Sequence, residues 1–196
     1  MSTSPMPDTR FVDDGDHVRF FCPYHPDFRS RAHNLGGAYQ STDRSWKFDG
    51  RDRGRVAELS RCLFGTTGDD TEWDDLITVN ISAQYHEQDG QVIFTGRQIA
   101  VRQQRDWQVR LAPNVILAHG NFKQKGGSRQ FPAVEADAHV VLQVRDLPRA
   151  ALQIADVRFY TVEDTNSHVR TLQEERERLA QRLTRIDQEL EQLGHP

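Results

Sequence analysis

The chain has 196 residues, of which 28% are charged and 36% are apolar, and its formal net charge at pH 7 is −4. This composition is typical of a globular protein and excludes a wholly disordered chain. No apolar run approaches the roughly 20 residues that span a bilayer, and the N-terminus lacks the basic start and apolar core of a signal peptide. Two cysteines, Cys22 and Cys62, predict no disulfide framework. We therefore expect a cytoplasmic protein with no membrane partner.

Charge is distributed unevenly along the chain. Residues 1–16 hold four acids and one arginine, which predicts a disordered acidic tail. Residues 17–65 hold nine Arg or Lys against five acids, and residues 76–160 hold ten against seven. Acids predominate in residues 66–75 and 161–196. Because both folded segments are mildly positive, this distribution favours an anionic partner.

Residues 17–65 have the pattern of a small β-α-β-β-α module. A strand over residues 18–22 should end at Pro23, which has no N–H to donate to a β-ladder. A helix of roughly two to three turns follows and closes at a glycine pair. Two short strands then flank a turn at residues 41–44, and a second helix ends at Gly65.

The hairpin of this module carries two aromatic residues, Trp46 and Phe48, on one face. We interpret them as core residues, because aromatic burial dominates small cores. Gly37-Ala38-Tyr39, followed by Arg44-Ser45-Trp46-Lys47-Phe48 and a closing helix, resembles the HARP module, a small domain of annealing helicases that engages branched or duplex DNA. The resemblance covers residues 18–65 and also extends to small domains of plasmids and phages. It implies DNA binding in a bacterial or mobile-element setting.

No ATPase motor accompanies the module. The chain has no glycine-rich sequence ending in Gly-Lys-Ser or Gly-Lys-Thr that would cradle phosphates. The resemblance therefore implies a binding role alone.

Basic residues on the hairpin and at the start of the second helix are candidates for nucleic-acid binding. At this position guanidinium groups and helix N-terminal amides could meet phosphate together. The candidates are Arg44, Lys47, Arg51, Arg53 and Arg55. A solvated basic face explains the same residues equally well.

Residues 66–71 have linker composition, and residues 72–162 predict a mostly antiparallel β sandwich or barrel. Short strand-like runs recur there, and Ile77, Val79 and Ile81 alternate with polar residues as in a sheet with one dry face. The predicted strands cover residues 76–85, 91–95, 98–102, 109–111, 115–122, 134–144 and 157–162, and a brief helix covers residues 148–152.

A glycine-containing loop of the β domain presents Lys123, Lys125 and Arg129 as a possible basic wing on a phosphate backbone. A hairpin alone would also require the glycines, because it needs positive φ. Arg97, Arg102, Arg105 and Arg110 would add a second basic strip.

Enzyme chemistry has weaker support in the sequence. Cys22, His25, His33 and Cys62 are zinc-ligand types, but they lack the paired close spacings of zinc folds. No metal, cofactor or catalytic residue is therefore predicted. A hydrolase would have to show turnover that depends on a divalent metal.

Residues 165–193 have the heptad pattern of a coiled-coil helix and predict a homo-oligomer. The predicted oligomerisation residues are Leu172, Arg176, Leu179, Leu183, Ile186, Leu190 and Leu193. Arg176 interrupts the apolar seam, which weakens a dimer, although its charge could specify register by pairing with a carboxylate. The alternative is one amphipathic helix that packs on its own β domain.

Together these patterns predict an α+β protein that binds nucleic acid, with DNA favoured by the resemblance, as a non-enzymatic accessory or regulatory protein. The alternative is a protein-interaction module, such as an inhibitor or assembly adaptor, in which the arginines only confer solubility.

Overall fold

The N-terminal part of the chain forms a four-stranded antiparallel sheet packed against two helices. The computed structural model describes residues 7–163 together with Arg176, Leu179 and Arg182. The sheet has the order β1-β2-β4-β3. Its strands are β1 (Arg10–Asp14), β2 (His17–Phe21), β3 (Ala38–Gln40) and β4 (Ser45–Asp49), and its helices are α1 (Pro26–Asn34) and α2 (Arg53–Phe64).

Apolar spacing accounts for these elements. Alternate residues of β2 and β4 turn inward, and the helices add residues one turn apart, so that all meet in one core. The buried members are Val18, Phe20, Phe28, Ala32, Trp46, Phe48, Val56, Leu59 and Phe64. The predicted strand before Pro23, both helices and the hairpin are confirmed, as is the burial of Trp46 and Phe48.

The predicted disordered tail is wrong over Arg10–Asp14, which form β1 and pair antiparallel with β2. Gly15 has φ +66° and permits the tight turn between the two strands. The ring of Phe11 packs against Phe20 with centroids 4.6 Å apart. One aromatic residue thus anchors an otherwise acidic strand to the core, and its acids lie over the basic module.

Two further antiparallel sheets follow, and both contribute to a second core. One has the order β10-β11-β5-β12, built from β5 (Leu76–Ser82), β10 (Val115–His119), β11 (Val141–Pro148) and β12 (Tyr160–Glu163). The other has the order β6-β7-β8-β9, built from β6 (Glu87–Gln88), β7 (Gln91–Phe94), β8 (Arg97–Val101) and β9 (Arg110–Leu111).

Strand alternation fills the second core. Ile77, Val79 and Ile81 of β5 are buried while the residues between them are partly exposed. Val92 and Phe94 of β7 join the same apolar cluster. The expected sheet with one buried face, formed by Ile77, Val79 and Ile81, is therefore confirmed.

Several predicted element bounds are wrong in this region. The strand predicted over residues 134–144 begins only at Val141, because Glu135 has φ +50° and a turn follows in which the Val140 amide donates to the Asp137 carbonyl. The brief helix predicted over residues 148–152 is a 3₁₀ helix over Arg149–Ile154. Another, over Val157–Phe159, occupies the start of the last predicted strand.

The predicted α+β class is wrong, because the protein is mostly β, with three antiparallel sheets. No long C-terminal helix is present among the residues that the structure describes.

The C-terminal predictions fall mostly outside the described residues. Arg176 and Leu179 are helical and exposed, and 60% of the Leu179 surface is accessible. The remaining predicted oligomerisation residues, Leu172, Leu183, Ile186, Leu190 and Leu193, lie outside the described part of the chain. Among the described residues, no helix has the length and apolar character needed to cross a membrane.

The segment predicted as a linker is packed rather than open. Thr66 is fully buried, and its hydroxyl lies 2.9 Å from that of Thr9. The carboxylate of Glu72 accepts hydrogen bonds from the Thr67 amide at 2.8 and 2.9 Å. The described residues as far as Val162 accordingly form one compact unit.

A buried arginine, Arg97, connects the two parts of this unit. Its guanidinium binds both carboxylate oxygens of Asp8 at 2.7 and 3.1 Å. It also donates to the carbonyl of Phe64 at 2.8 Å and to the carbonyl of Thr95 at 2.9 Å. One side chain thus joins the N-terminal segment, the end of α2 and the β7–β8 turn.

Close backbone contact reinforces this junction. Thr95 and Gly96 form the β7–β8 turn, and both have positive φ. Gly96 lies so close to α2 that an added Cβ would be 2.1 Å from the carbonyl oxygen of Leu63. A β-branched residue rarely adopts positive φ. The hydroxyl of Thr95, 3.1 Å from the Arg97 guanidinium, helps to hold that conformation.

We predict that Arg97→Met lowers the free energy of unfolding by about 3 kcal/mol, because the Asp8 carboxylate and two carbonyls lose their partner. Urea unfolding measures this change. Arg158→Met is the matched control: Arg158 pairs with Asp156 at the surface, and its loss should change the free energy of unfolding far less than the loss of Arg97. Equal effects of the two substitutions would contradict the role assigned to Arg97.

Candidate functional site

Most of the predicted basic residues of the first module are paired with acids. The ion pairs are Lys47 with Asp14 at 3.7 Å, Arg51 with Asp49 at 2.7 Å, Arg53 with Asp13 at 2.8 Å and Arg55 with Asp52 at 3.1 Å. Two of the four acids come from β1. Exposed pairs of this kind contribute little stability, but each carboxylate offsets the positive potential of its neighbour.

The loop over residues 123–129 is similarly compensated. Lys123 lies 3.7 Å from both Glu135 and Asp137, and Lys125 lies 3.6 Å from Asp106. Arg129 is exposed and has no ion pair within the described ranges. Six of the eight predicted cations therefore have a carboxylate partner, and this loop is a weak candidate for phosphate binding.

The expected second basic strip is wrong at Arg97 and Arg102, which are 7% and 2% exposed. Arg102 donates to the carbonyls of Ala133 at 2.8 Å and Gln124 at 3.1 Å. It also hydrogen-bonds the carbonyls of Trp107 and Lys123. A buried guanidinium requires many acceptors, and the irregular loops supply them. Arg102 therefore organises the loop and does not face a ligand.

A cavity of about 690 Å³ opens between the end of β2, α1 and the β3–β4 hairpin. We call it the aromatic pocket. Its rings are Tyr24, Phe28, Tyr39 and Trp46. Its basic and imidazole groups are Arg29, Arg44, His25 and His33, and Cys22 and Pro23 complete the lining. No carboxylate belongs to this lining.

The local sequence explains how the pocket is built. Pro23 ends β2, so Tyr24 leaves the sheet and is 74% exposed at the rim. His25 caps α1, since its Nδ1 accepts a hydrogen bond from the Asp27 amide at 3.2 Å. The nitrogen that accepts this bond carries no proton, which leaves Nε2–H as the donor of a neutral His25.

The hairpin supplies the opposite wall. Tyr39 and Trp46 face each other across the β3–β4 pair, with their ring centroids 5.4 Å apart. Phe28 and His33 also contact Trp46 edge-on, with centroids 6.0 and 5.0 Å from it. Trp46 is 7% exposed and fixed on several sides, whereas Tyr39 is 50% exposed. A rigid indole thus supports an accessible phenol ring.

Uncompensated positive charge lies beside these rings. Arg44 occupies the hairpin turn with φ +59°, and Arg29 lies on α1. Across the part of the chain that the structure describes, neither guanidinium has a carboxylate oxygen within 4.0 Å. Arg44 is therefore the predicted site residue of the first module whose charge remains available to a ligand.

Two titratable groups of the pocket are held neutral. Burial lowers the pKa of His25, with Asp27 opposing this effect and Arg31 adding to it. Burial raises the pKa of the Cys22 thiol to about 12, and the nearby charge of Asp8 contributes in the same direction. Among the described residues, no three His, Cys, Asp or Glu side chains gather in a way that could hold a metal ion. Cys22 is thus an apolar part of the wall.

Tyr24 and Arg29 were not among the predicted site residues, and His25 and His33 were considered only as zinc-ligand types. One signal was present: Pro23 and Pro26 bracket Tyr24 and predict an exposed turn between strand and helix. Whether that turn faces Tyr39 is set by the tertiary fold.

In comparisons with known proteins, no protein-family model, curated protein or solved structure matches the chain. The resemblance of residues 18–65 to the HARP module therefore stays a prediction, and the pocket must be interpreted from its own chemistry.

We predict that one of the two cysteine thiols reacts quickly with a thiol reagent and the other slowly. At pH about 8.5 the exposed Cys62 should react rapidly with a thiol-specific disulfide reagent, whereas Cys22 should react only as the protein unfolds, because thiolate is the nucleophile and its formation is suppressed. Absorbance of the released chromophore measures both phases. Cys62→Ser should abolish the fast phase, and a fast thiol remaining in that variant would contradict the assignment.

Proposed function

We propose that the protein is a non-enzymatic nucleic-acid-binding protein whose aromatic pocket receives unpaired bases. The supporting observation is the composition of that pocket. Two exposed tyrosines occur there with two arginines that have no ion-pair partner among the described residues, and none of its described lining residues is a carboxylate. Rings offer stacking surfaces for bases, while guanidinium groups meet the phosphates on either side.

The proposed ligand is single-stranded. Bases in a duplex are stacked on one another and do not present their faces to a protein ring, whereas an unpaired base does. Every base has a π-face, so stacking carries little sequence preference and contributes about 1 to 3 kcal/mol per base. DNA is preferred to RNA because of the HARP resemblance alone, and branched DNA would supply such unpaired bases at its junctions.

This proposal moves the site away from the predicted basic loop. Lys123 and Lys125 each lie near acids, and removing either should change affinity less than removing Arg44. The accessory or regulatory role predicted from the sequence is retained as part of the proposal.

A protein-interaction role is the second candidate, and one observation favours it. Strand β10 is at the edge of its sheet, and its Ile116 and Leu117 are 38% and 37% exposed. Open edges of this kind can pair with a strand of another chain.

Self-association of the chain is a prediction from the sequence, since most of the residues that would carry it lie outside the described part. Light scattering of the full chain at several concentrations measures it.

We predict that labelled single-stranded DNA binds more tightly than duplex, and that Tyr39→Ala weakens binding by about 1 to 3 kcal/mol through lost stacking. Arg44→Gln should lower affinity and reduce the slope of log K against log salt by about 0.7, the value of one phosphate contact in a single strand. Fluorescence anisotropy between about 50 and 200 mM salt measures both quantities.

Two variants serve as controls for this experiment. Arg55→Gln removes a cation that is already paired with Asp52, and Tyr39→Phe keeps the stacking ring. Both should bind within about twofold of the unmodified protein, a difference well below 1.4 kcal/mol. Absence of binding at about 50 mM salt, or equal binding by Tyr39→Ala, would refute the proposal and leave the protein-interaction role.

A further inference from the structure

A second cleft, of about 440 Å³, begins where the aromatic pocket ends. The two cavities share His25, which lines both. From this imidazole the second cleft extends past Cys62 on α2 to Tyr85 and His86, which follow β5, and reaches Phe159 before β12. The surface from Tyr39 to Tyr85 thus holds two neighbouring depressions, and His25 lines both of them.

The far end of the cleft carries another accessible aromatic platform. Tyr85 is 57% exposed and stacks on Phe159, with centroids 4.7 Å apart and planes inclined by 21°. His86 is edge-on to Phe94 at 5.0 Å, and its Nε2 lies 3.3 Å from the carbonyl oxygen of Phe159. The guanidinium carbon of Arg158 lies over the Phe159 ring, 5.2 Å from its centroid. Phe159 and its neighbours therefore support the Tyr85 ring, which itself remains accessible to solvent.

The separation of the two platforms is fixed by the fold. Both lie in the compact unit of residues 1–162. The second cleft crosses the junction at which Arg97 binds the Phe64 carbonyl and Gly96 touches Leu63. A ligand that reaches both platforms consequently meets a preorganised surface, which lowers the entropic cost of binding.

We propose that the second cleft continues the binding site, so that one single strand passes from the aromatic pocket over His25 to the Tyr85 platform. This inference rests on the proposed nucleic-acid function and defines its ligand more narrowly. The ligand class is single-stranded nucleic acid several nucleotides long, which excludes a mononucleotide or a single flipped base as the full ligand.

Charge indicates how the strand lies in the second cleft. Asp27 and Asp156 belong to its lining, and the Asp156 carboxylate is already bound by Arg158. Carboxylates repel phosphates but accept hydrogen bonds from the amino groups of bases. Bases therefore enter this cleft while their phosphates face solvent. The aromatic pocket, with Arg29 and Arg44, takes the phosphate contacts.

Length dependence of binding tests the inference. Oligothymidylates of about two, four and eight residues are titrated into the full chain by calorimetry or anisotropy. Affinity should rise with length beyond two residues, as the strand reaches Tyr85. Tyr85→Ala should lower the affinity for the longest oligonucleotide roughly 5- to 150-fold, the equivalent of one lost stacking interaction. Its affinity for the dinucleotide should stay within about twofold of that of the unmodified protein.

Matched variants separate this inference from the function on which it rests. Phe131→Ala removes another exposed ring, 71% accessible and outside both cavities, and should bind every oligonucleotide as the unmodified protein does. Tyr85→Phe keeps the ring and should retain full affinity. Equal affinity of Tyr85→Ala and unmodified protein for the longest strand, with Tyr39→Ala still impaired, would overturn the extended site alone. Failure of all oligonucleotides to bind would overturn the function as well.

Discussion

The buried guanidinium of Arg97 is the interaction on which the rest of this structure depends. A charge with 7% of its residue surface exposed is tolerated only when acceptors surround it. Thr95 provides one from the same turn, and Asp8 and Phe64 provide the others from distant parts of the sequence. Satisfying one side chain therefore fixes where the first module meets the β sheets. The second cleft lies along this junction, where Leu63 and Gly96 line it, so its geometry follows from the same requirement.

Folding also determines which positive charges remain available. Strand β1 brings Asp13 and Asp14 onto the basic module, where they pair with Arg53 and Lys47. The positive surface implied by counting charges is thereby largely offset. What remains is a small concave region around Arg44, lined by rings and free of carboxylates. Binding by stacking with a few phosphate contacts suits this arrangement better than binding through a broad cationic face.

Local sequence patterns predicted the elements of the first module because each depends on neighbours: Pro23 ends a strand and Gly65 closes α2 with φ +70°. The same patterns failed where residues distant in sequence determine whether a charged side chain is paired or buried. Ion pairs such as Arg53 with Asp13 are 40 residues apart in sequence, so spacing gave no sign of them. Burial of Arg102 depends on carbonyls of loops that follow it by about 20 to 30 residues. The predicted class likewise overestimated helix, since the strands that dominate the fold are short.

The most direct test of this account is NMR chemical-shift mapping of the unmodified protein with an oligothymidylate of about eight residues. The account predicts that the largest changes arise at the Trp46 indole, His25 and the rings of Tyr39 and Tyr85. Amides of residues 123–129 should remain near their free positions. Changes centred on that loop, or none at the tyrosines at saturating oligonucleotide, would contradict it.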